Sequence, residues 1–337
     1  GDCVVHNHPY KGASHSPDIA VVMPVFHNDE LVGFSANTAH HVDIGAATPG
    51  LIIDVPDMWA EGMLLDAVKL YEGGTRVESL WKYIRDNTRV PGLVMGDLEA
   101  QIASAELGVK RFEELLAKYG KDDVIASCNQ LMDYTERLMR REIAKIPDGE
   151  YFAEGFLDDD GRNREKTLPI KVCVKVKGDD IEIDLTGSSD QVPTAFNVPF
   201  DGSTMVAAFF VCRAMLLDTY TLEEYVPQNE GSFRPIKVTA PKGSIYNPIA
   251  PAAAEARFCQ IQRMADLVIK ALSPVIPEKS TAGNAATLSF AAYSGVRPSG
   301  DYWVFLEVNE AATGGRPASD GVDTVEELMR NTRNNPL

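Results

Sequence analysis

Six histidines occur in the 337-residue chain, and all of them (His6, His8, His15, His27, His40 and His41) fall within its first 41 residues. Neutral imidazole and carboxylate are the donors that suit divalent Zn, Mn or Fe, and they recur here as His15-x-x-Asp18 followed by His40-His41. Two histidines and one carboxylate leave coordination positions open to water or substrate, the mark of a catalytic rather than a structural metal. The competing assignment is a set of histidines hydrogen-bonded in the core or in loops. Consecutive residues of an extended chain point to opposite faces, so His40 and His41 cannot share one role. One is a ligand, and the other backs the ligands or faces substrate. Asp43 shares the parity of His41 and either orients its ring, as carboxylates behind a metal do, or starts the turn at Gly45. In "HNHPY", Asn7 either donates a hydrogen bond to substrate or forms a turn.

These donors need elements that bring residues 15–18 and 40–43 together. "IAVVMPVF" and "LVGFSANTA" are apolar, β-branched runs with "HNDE" between them, which predicts a hairpin over residues 19–39. The start of one strand in an antiparallel pair faces the end of its neighbour, so Asp18 and His40 meet at the same edge. Residues 44–96 are rich in Gly and Pro and read as irregular chain with short strands. Asp97 then caps a helix that stops at Gly120, and a second helix runs from Asp122 to Lys145, with Val124, Ile125, Leu131, Leu138 and Met139 on one side. "LPIKVCVKV" and "IEIDLTG" alternate with period 2 around "KGDD", a β-hairpin. "STMVAAFFVCRAMLLD" and "AAAEARFCQIQRMADLVIKAL" read as buried helices. The expectation is an α+β fold with mixed sheets, a helical hairpin and buried helices. It divides into a β-rich metal-site region over 1–96, the helical hairpin over 97–147, and an α+β region over 148–337. The chain opens in strand and loop and stops at "RNTRNNPL" without a closing element, as a piece of a longer chain does.

With 32 basic against 49 acidic residues, the net charge of −17 repels nucleic acid and anionic membrane surfaces. No apolar run reaches the roughly 18 residues that span a bilayer, and no charged-then-apolar leader begins the chain. The five cysteines (3, 128, 173, 212 and 259) are far apart and odd in number, which predicts free thiols in a reducing compartment, the cytoplasm. GxxxxGK[ST], GxGxxG after a strand, GxSxG and HExxH are all lacking. Any ATP the reaction consumes is therefore expected to bind another chain.

"NHPYKGASHSPDI" followed by "ELVGFSANTAHHVDIGAATPG" resembles the hydantoinase B/oxoprolinase family, whose pattern is close to N-D-P-Y-x-G-G-T-H-x-P-D and then A-H-[HW]-x-D-[IV]-G-G. The likeness continues through "IDLTGSSDQVPTAFNVP" and "GSFRPIKVTAPKGSIYNPIAPAAAEARF" to "GGRPASDGVDTVEELMRNTRNNPL". The resemblance implies one subunit of an ATP-dependent enzyme that opens cyclic amides (hydantoins, 5-oxoproline, lactams), with ketone carboxylation of the acetone or acetophenone type as the alternative and a metal-stabilised scaffold as a third. It implies a hydantoinase A-type partner subunit that takes up ATP and phosphorylates the substrate. It puts the divalent metal on His15, Asp18 and His40, because the first position of the pair is His in both forms of the motif. His41, Asp43 and Asn7 remain as the candidate catalytic residues. The chain departs from the pattern at His8, at Gly12-Ala13-Ser14 and at Gly45-Ala46.

Overall fold

The structure is a computed structural model that describes residues 1–218, 222–283, 288–310 and 313–321. The last block of the family-like sequence therefore lies partly outside the described residues.

Strands β1 (Cys3–His6), β2 (Asp18–His27), β3 (Glu30–His40), β4 (Val68–Glu72) and β5 (Thr75–Arg76) form one sheet in the order β3-β2-β1-β4-β5. The β2–β3 hairpin is the predicted one. Its pairing runs from Asp18 opposite His40 to His27 opposite Glu30. Asn28 and Asp29, both at positive φ (49° and 64°), make the two-residue turn. Such a turn matches the twist of the strands, and Asn and Asp tolerate that backbone region better than other non-glycine residues.

Ile19 and Val21 alternate inward from β2 onto α1 (Glu78–Asp86) and α2 (Pro91–Tyr119), burying Trp81, Ile84, Val94 and Leu98. The reading of 44–96 as irregular chain with short strands needs correction, because it contains α1 and the start of α2. Only Trp81 and Ile84 of α1 are buried, too few to show a period. Helix α2 begins at Pro91 rather than at Asp97. Proline at the first helical position has its φ preset and no N–H to satisfy, and burial of Val94 and Leu98 one turn apart outweighs Gly92 and Gly96 in the same stretch.

Gly120, at φ 83°, separates α2 from α3 (Lys121–Ile143), giving the expected helical hairpin. Val124, Leu138 and Met139 are buried as expected, whereas Leu131 on the same side is 46% exposed. The second sheet has the order β6-β7-β8-β9, from Gly149–Leu157, Leu168–Lys177, Asp180–Asp184 and Ile236–Thr239, the last pair parallel. Helices α4 (Met205–Leu216) and α5 (Phe258–Leu272) contribute to the core beneath it. Strands β10 (Leu288–Val296) and β11 (Tyr302–Glu310) form a separate ribbon. A small cluster of Ala46, Ile52, Val55, Ala195, Ala253 and Ala256 forms a third core. No described helix is long and apolar enough to cross a membrane.

One helix prediction fails where it matters for the site. The run "AAAEARF" reads as helix from residue 252, yet α5 starts only at Phe258. Glu61 explains this. Its Oε1 accepts the backbone N–H groups of Ala254 and Glu255, both at 2.6 Å, and Ala256 N donates to Ala195 O at 3.0 Å. Those tertiary bonds take the amides that a first helical turn would have placed, and alanine's helix propensity is too weak to compete. The segment instead carries Arg257 to the hairpin edge described next.

Candidate metal centre

The loop before β2 and the end of β3 bring three donors together. His15 Nε2 lies 3.1 Å from Asp18 Oδ1, His40 Nδ1 lies 3.1 Å from the same oxygen, and the two ring nitrogens are 3.2 Å apart. The hairpin register does this directly, since Asp18 and His40 are paired partners. His41 N extends the ladder by donating to Pro17 O at 2.9 Å. Donors about 2.1 Å from one divalent ion and about 90–110° apart lie about 3.0–3.4 Å from one another. The observed triangle fits that spacing, and it is the one convergence of three metal-type donors among the described residues.

The electrostatics agree with the donor set. Burial, and after it the Arg257 cation, push His15 down to about 3, so its ring is neutral and its lone pair available. Burial alone would raise the Asp18 carboxyl. The histidine contacts and Arg257 outweigh it and hold the group well below the usual carboxylate range. The two Asp18 oxygens face different partners. Oδ1 faces the histidines, while Oδ2 accepts from Ser14 Oγ and lies 3.7 Å from the Arg257 guanidinium. Arg257 is itself fixed, its Nε donating to Ser203 Oγ at 2.8 Å, and Ser203 Oγ in turn donates to Ser14 O at 3.0 Å. Gly202 permits that approach, because a Cβ there would stand 1.9 Å from the Ala13 carbonyl oxygen. The Phe258 ring meets His15 edge-on at 5.6 Å. His15 is closed off at 1% exposure, whereas His40 is 41% exposed and forms the open side.

The remaining sequence candidates do other work. His41 is buried facing away from the triangle, with Nε2 against Gln101 Oε1 at 2.8 Å. Asp43 does not orient it. The Asp43 carboxylate accepts from Gly45 N at 3.1 Å, Arg89 Nη1 at 2.8 Å and Arg89 N, so of the two readings the turn at Gly45 describes it. Asn7 is fully buried and cannot donate to a substrate. Its Nδ2 is spent on Ser16 O (2.7 Å) and Met63 O (2.9 Å), and its Oδ1 accepts from Leu65 N (2.6 Å).

Sequence reading missed Arg257, Glu61 and Glu255. Single charged residues in an alanine-rich or irregular run carry no periodic signal. Their shared signal is burial, at 5%, 0% and 1% exposure, which charged side chains rarely reach without a partner or a role. Burial pushes Glu61 up to about 7 against its backbone N–H bonds. Burial, then the neighbouring Glu61, push Glu255 up to about 9. A carboxyl that keeps its proton when folded and loses it above its ordinary 4.5 when unfolded destabilises the fold as pH rises. Each such group costs about 1.4 kcal/mol per pH unit until the folded value is reached. Above about pH 7, where the buried histidines no longer titrate in the unfolded chain, urea titrations should therefore show stability falling toward pH 9, with a shallower slope in Glu255→Gln; an unchanged slope in that variant would contradict the assignment.

A family model described as hydantoinase B/oxoprolinase matches residues 1–337. The chain is 47% identical over 343 residues to a protein from Pseudomonas sp. (strain NS671) named as one component of a "Putative D-/L-hydantoinase", taking in 100% of this chain and 57% of that protein. A solved ATP-dependent caprolactamase from Pseudomonas jessenii is similar at 29% identity and a TM-score of 0.83, over 96% of this chain and 55% of that one. A nucleotide-free acetone carboxylase structure is similar at 20% identity and a TM-score of 0.82, over 95% of this chain and 44% of that one, a likeness of fold. The chain thus spans about half the length of the curated relatives it matches.

Proposed function

Because the chain belongs to the hydantoinase B/oxoprolinase family, we propose that it forms the metal-holding part of an ATP-dependent enzyme that opens cyclic amides such as hydantoins, 5-oxoproline or lactams. The observation that carries this reading is the triangle of His15 Nε2, Asp18 Oδ1 and His40 Nδ1, mutually 3.1–3.2 Å apart and open at His40. A divalent Zn, Mn or Fe ion held there would supply Lewis acidity for carbonyl polarisation and a nucleophile at neutral pH.

The chain's own residues prepare that chemistry. His15, buried and neutral, offers its lone pair without having to shed a proton. Asp18 stays ionised and presents one oxygen, because Ser14 and Arg257 engage the other. The exposed edge of His40 is the side on which substrate approaches. ATP is assigned to a hydantoinase A-type partner that phosphorylates the amide oxygen, since a five-membered lactam or imide is a poor electrophile. A relative of this chain is itself named as a subunit, which supports such a partnership. The described cysteines are all free thiols, and the compartment assigned is the cytoplasm.

The complete complex incubated with ATP should release an N-carbamoyl amino acid from hydantoin, or the ring-opened amino acid from 5-oxoproline or caprolactam. Chelation should stop turnover and re-addition of a divalent metal restore it. Carboxylated product from a ketone with labelled bicarbonate, in place of ring opening, would overturn the hydrolase reading.

A further inference from the structure

Behind the donor triangle, two residues that each carry a buried polar atom without a hydrogen-bond partner among the described residues line one small void. Gln101 fixes how the first of them is presented. Its Nε2 donates to Ile19 O at 2.8 Å and to Asn37 Oδ1 at 3.0 Å, which turns Oε1 toward His41 Nε2 at 2.8 Å. An amide oxygen only accepts, so Nε2 carries the proton and Nδ1 of the neutral ring is a bare acceptor. That Nδ1 is buried and has no hydrogen-bond partner among the described residues. The same holds for Glu255 Oε2. His41 and Glu255 both line a void of about 10 Å³ that also touches His40 and Asp43, about the space one water molecule occupies.

We infer that this void is the site of a structural water, donating to His41 Nδ1 and hydrogen-bonded to Glu255 Oε2. Such a water satisfies two polar atoms that burial would otherwise leave without partners, an arrangement folded proteins rarely tolerate. A cation fits the void less well, because among the described residues only His15, Asp18 and His40 bring three metal-type donors together. An apolar occupant would leave both atoms unsatisfied. With its carboxyl pushed up by burial, Glu255 presents an O–H that the water oxygen can accept.

The water then joins two parts of the centre. On one side is the end of β3, with His40 preceding His41. On the other is the segment 252–257, which ends in Arg257 beside Asp18. Glu255 thereby becomes a positioning residue for His40, and the effect on metal affinity rests on the proposed metal reading.

The test is a crystal structure of the full-length protein at a resolution that orders internal water, together with metal titrations of two variants. The wild type should show a water oxygen within hydrogen-bond distance of both His41 Nδ1 and Glu255 Oε2. Glu255→Leu, which is apolar and cannot bond the water, should lose it and bind the divalent ion about 10–100-fold more weakly, as loss of a group behind a metal ligand does. Glu255→Gln, which still bonds the water, should stay within about 3-fold of wild type on the same scale. A void found empty, or closed by a direct Glu255–His41 contact, overturns the proposal, as does wild-type affinity in Glu255→Leu. Should that variant fail to fold, the wild-type density and Glu255→Gln still decide. Absence of bound metal in the wild type sinks the metal reading instead, and leaves the water to be judged by its density.

Discussion

His40→Ala should lower the affinity of the protein for its divalent ion by more than about 100-fold, beyond the 10–100-fold that follows loss of a group behind a ligand. The argument is geometric. His40 Nδ1 is one of only three donors in the triangle, and two donors leave most of an ion's coordination to water. The variant should be nearly as stable as the parent, because the side chain is 41% exposed and its bonds among the described residues lie within the triangle. Changes at such sites usually stay within about 0.5 kcal/mol. Competition titration against a chelator gives the affinity, and a urea titration of the metal-free protein gives the stability. Wild-type affinity in His40→Ala would remove the triangle as a metal site.

Asn7→Ala should behave in the opposite way, destabilising the fold by about 3–5 kcal/mol. Its amide makes three buried hydrogen bonds, to Ser16 O, Met63 O and Leu65 N, which pin the end of β1 to the loop before β2 and to the stretch entering β4. An alanine strands two carbonyls and one N–H away from water, at about 1–1.5 kcal/mol per lost bond. The urea midpoint should fall with an unchanged slope. A loss below about 1 kcal/mol, the worth of a single such bond, would show that water or backbone movement replaces the amide, and would reopen a role for Asn7 beyond architecture.

The contrast between these two residues measures what the sequence discloses. The donor triangle is legible because its members are local. Asp18 and His40 sit at matched ends of one hairpin; strand pattern plus turn residues bring residues 18 and 40–41 to the same edge, and the family resemblance selects His40 from the pair. His15 is three residues from Asp18. Asn7 and Asp43 are of types that serve turns, backbone clamps and catalysis equally well, and only their partners decide among these roles. Arg257, Glu61 and Glu255 were illegible for a different reason. Glu61 and Arg257 lie 196 positions apart in the chain, and their meeting depends on tertiary contacts joining the two halves. The same contacts hide the true start of α5, where "AAAEARF" has every local reason to be helical and is held out of helix by a carboxylate from elsewhere. Leu131 shows the limit from the other direction, since a helical period names a face but not how far along it the cover extends.

The two-residue turn at Asn28-Asp29 has a reach far beyond its size. Together with the one-residue register shift between Val25 and Phe26, where β3 carries the extra residue Val32, it sets which residue of β3 stands opposite Asp18, and a strand changes face with every residue. Adding or deleting a single amino acid at that tip, if β3 slid along β2 to absorb it, would turn His40 inward and bring its neighbour to the position beside Asp18. Among members of the family, length variation should therefore be tolerated in many surface loops but filtered out here or compensated in pairs. The tip and the register shift beside it act together as a ruler, and keeping their combined length is a condition for keeping the histidine at the far end in place.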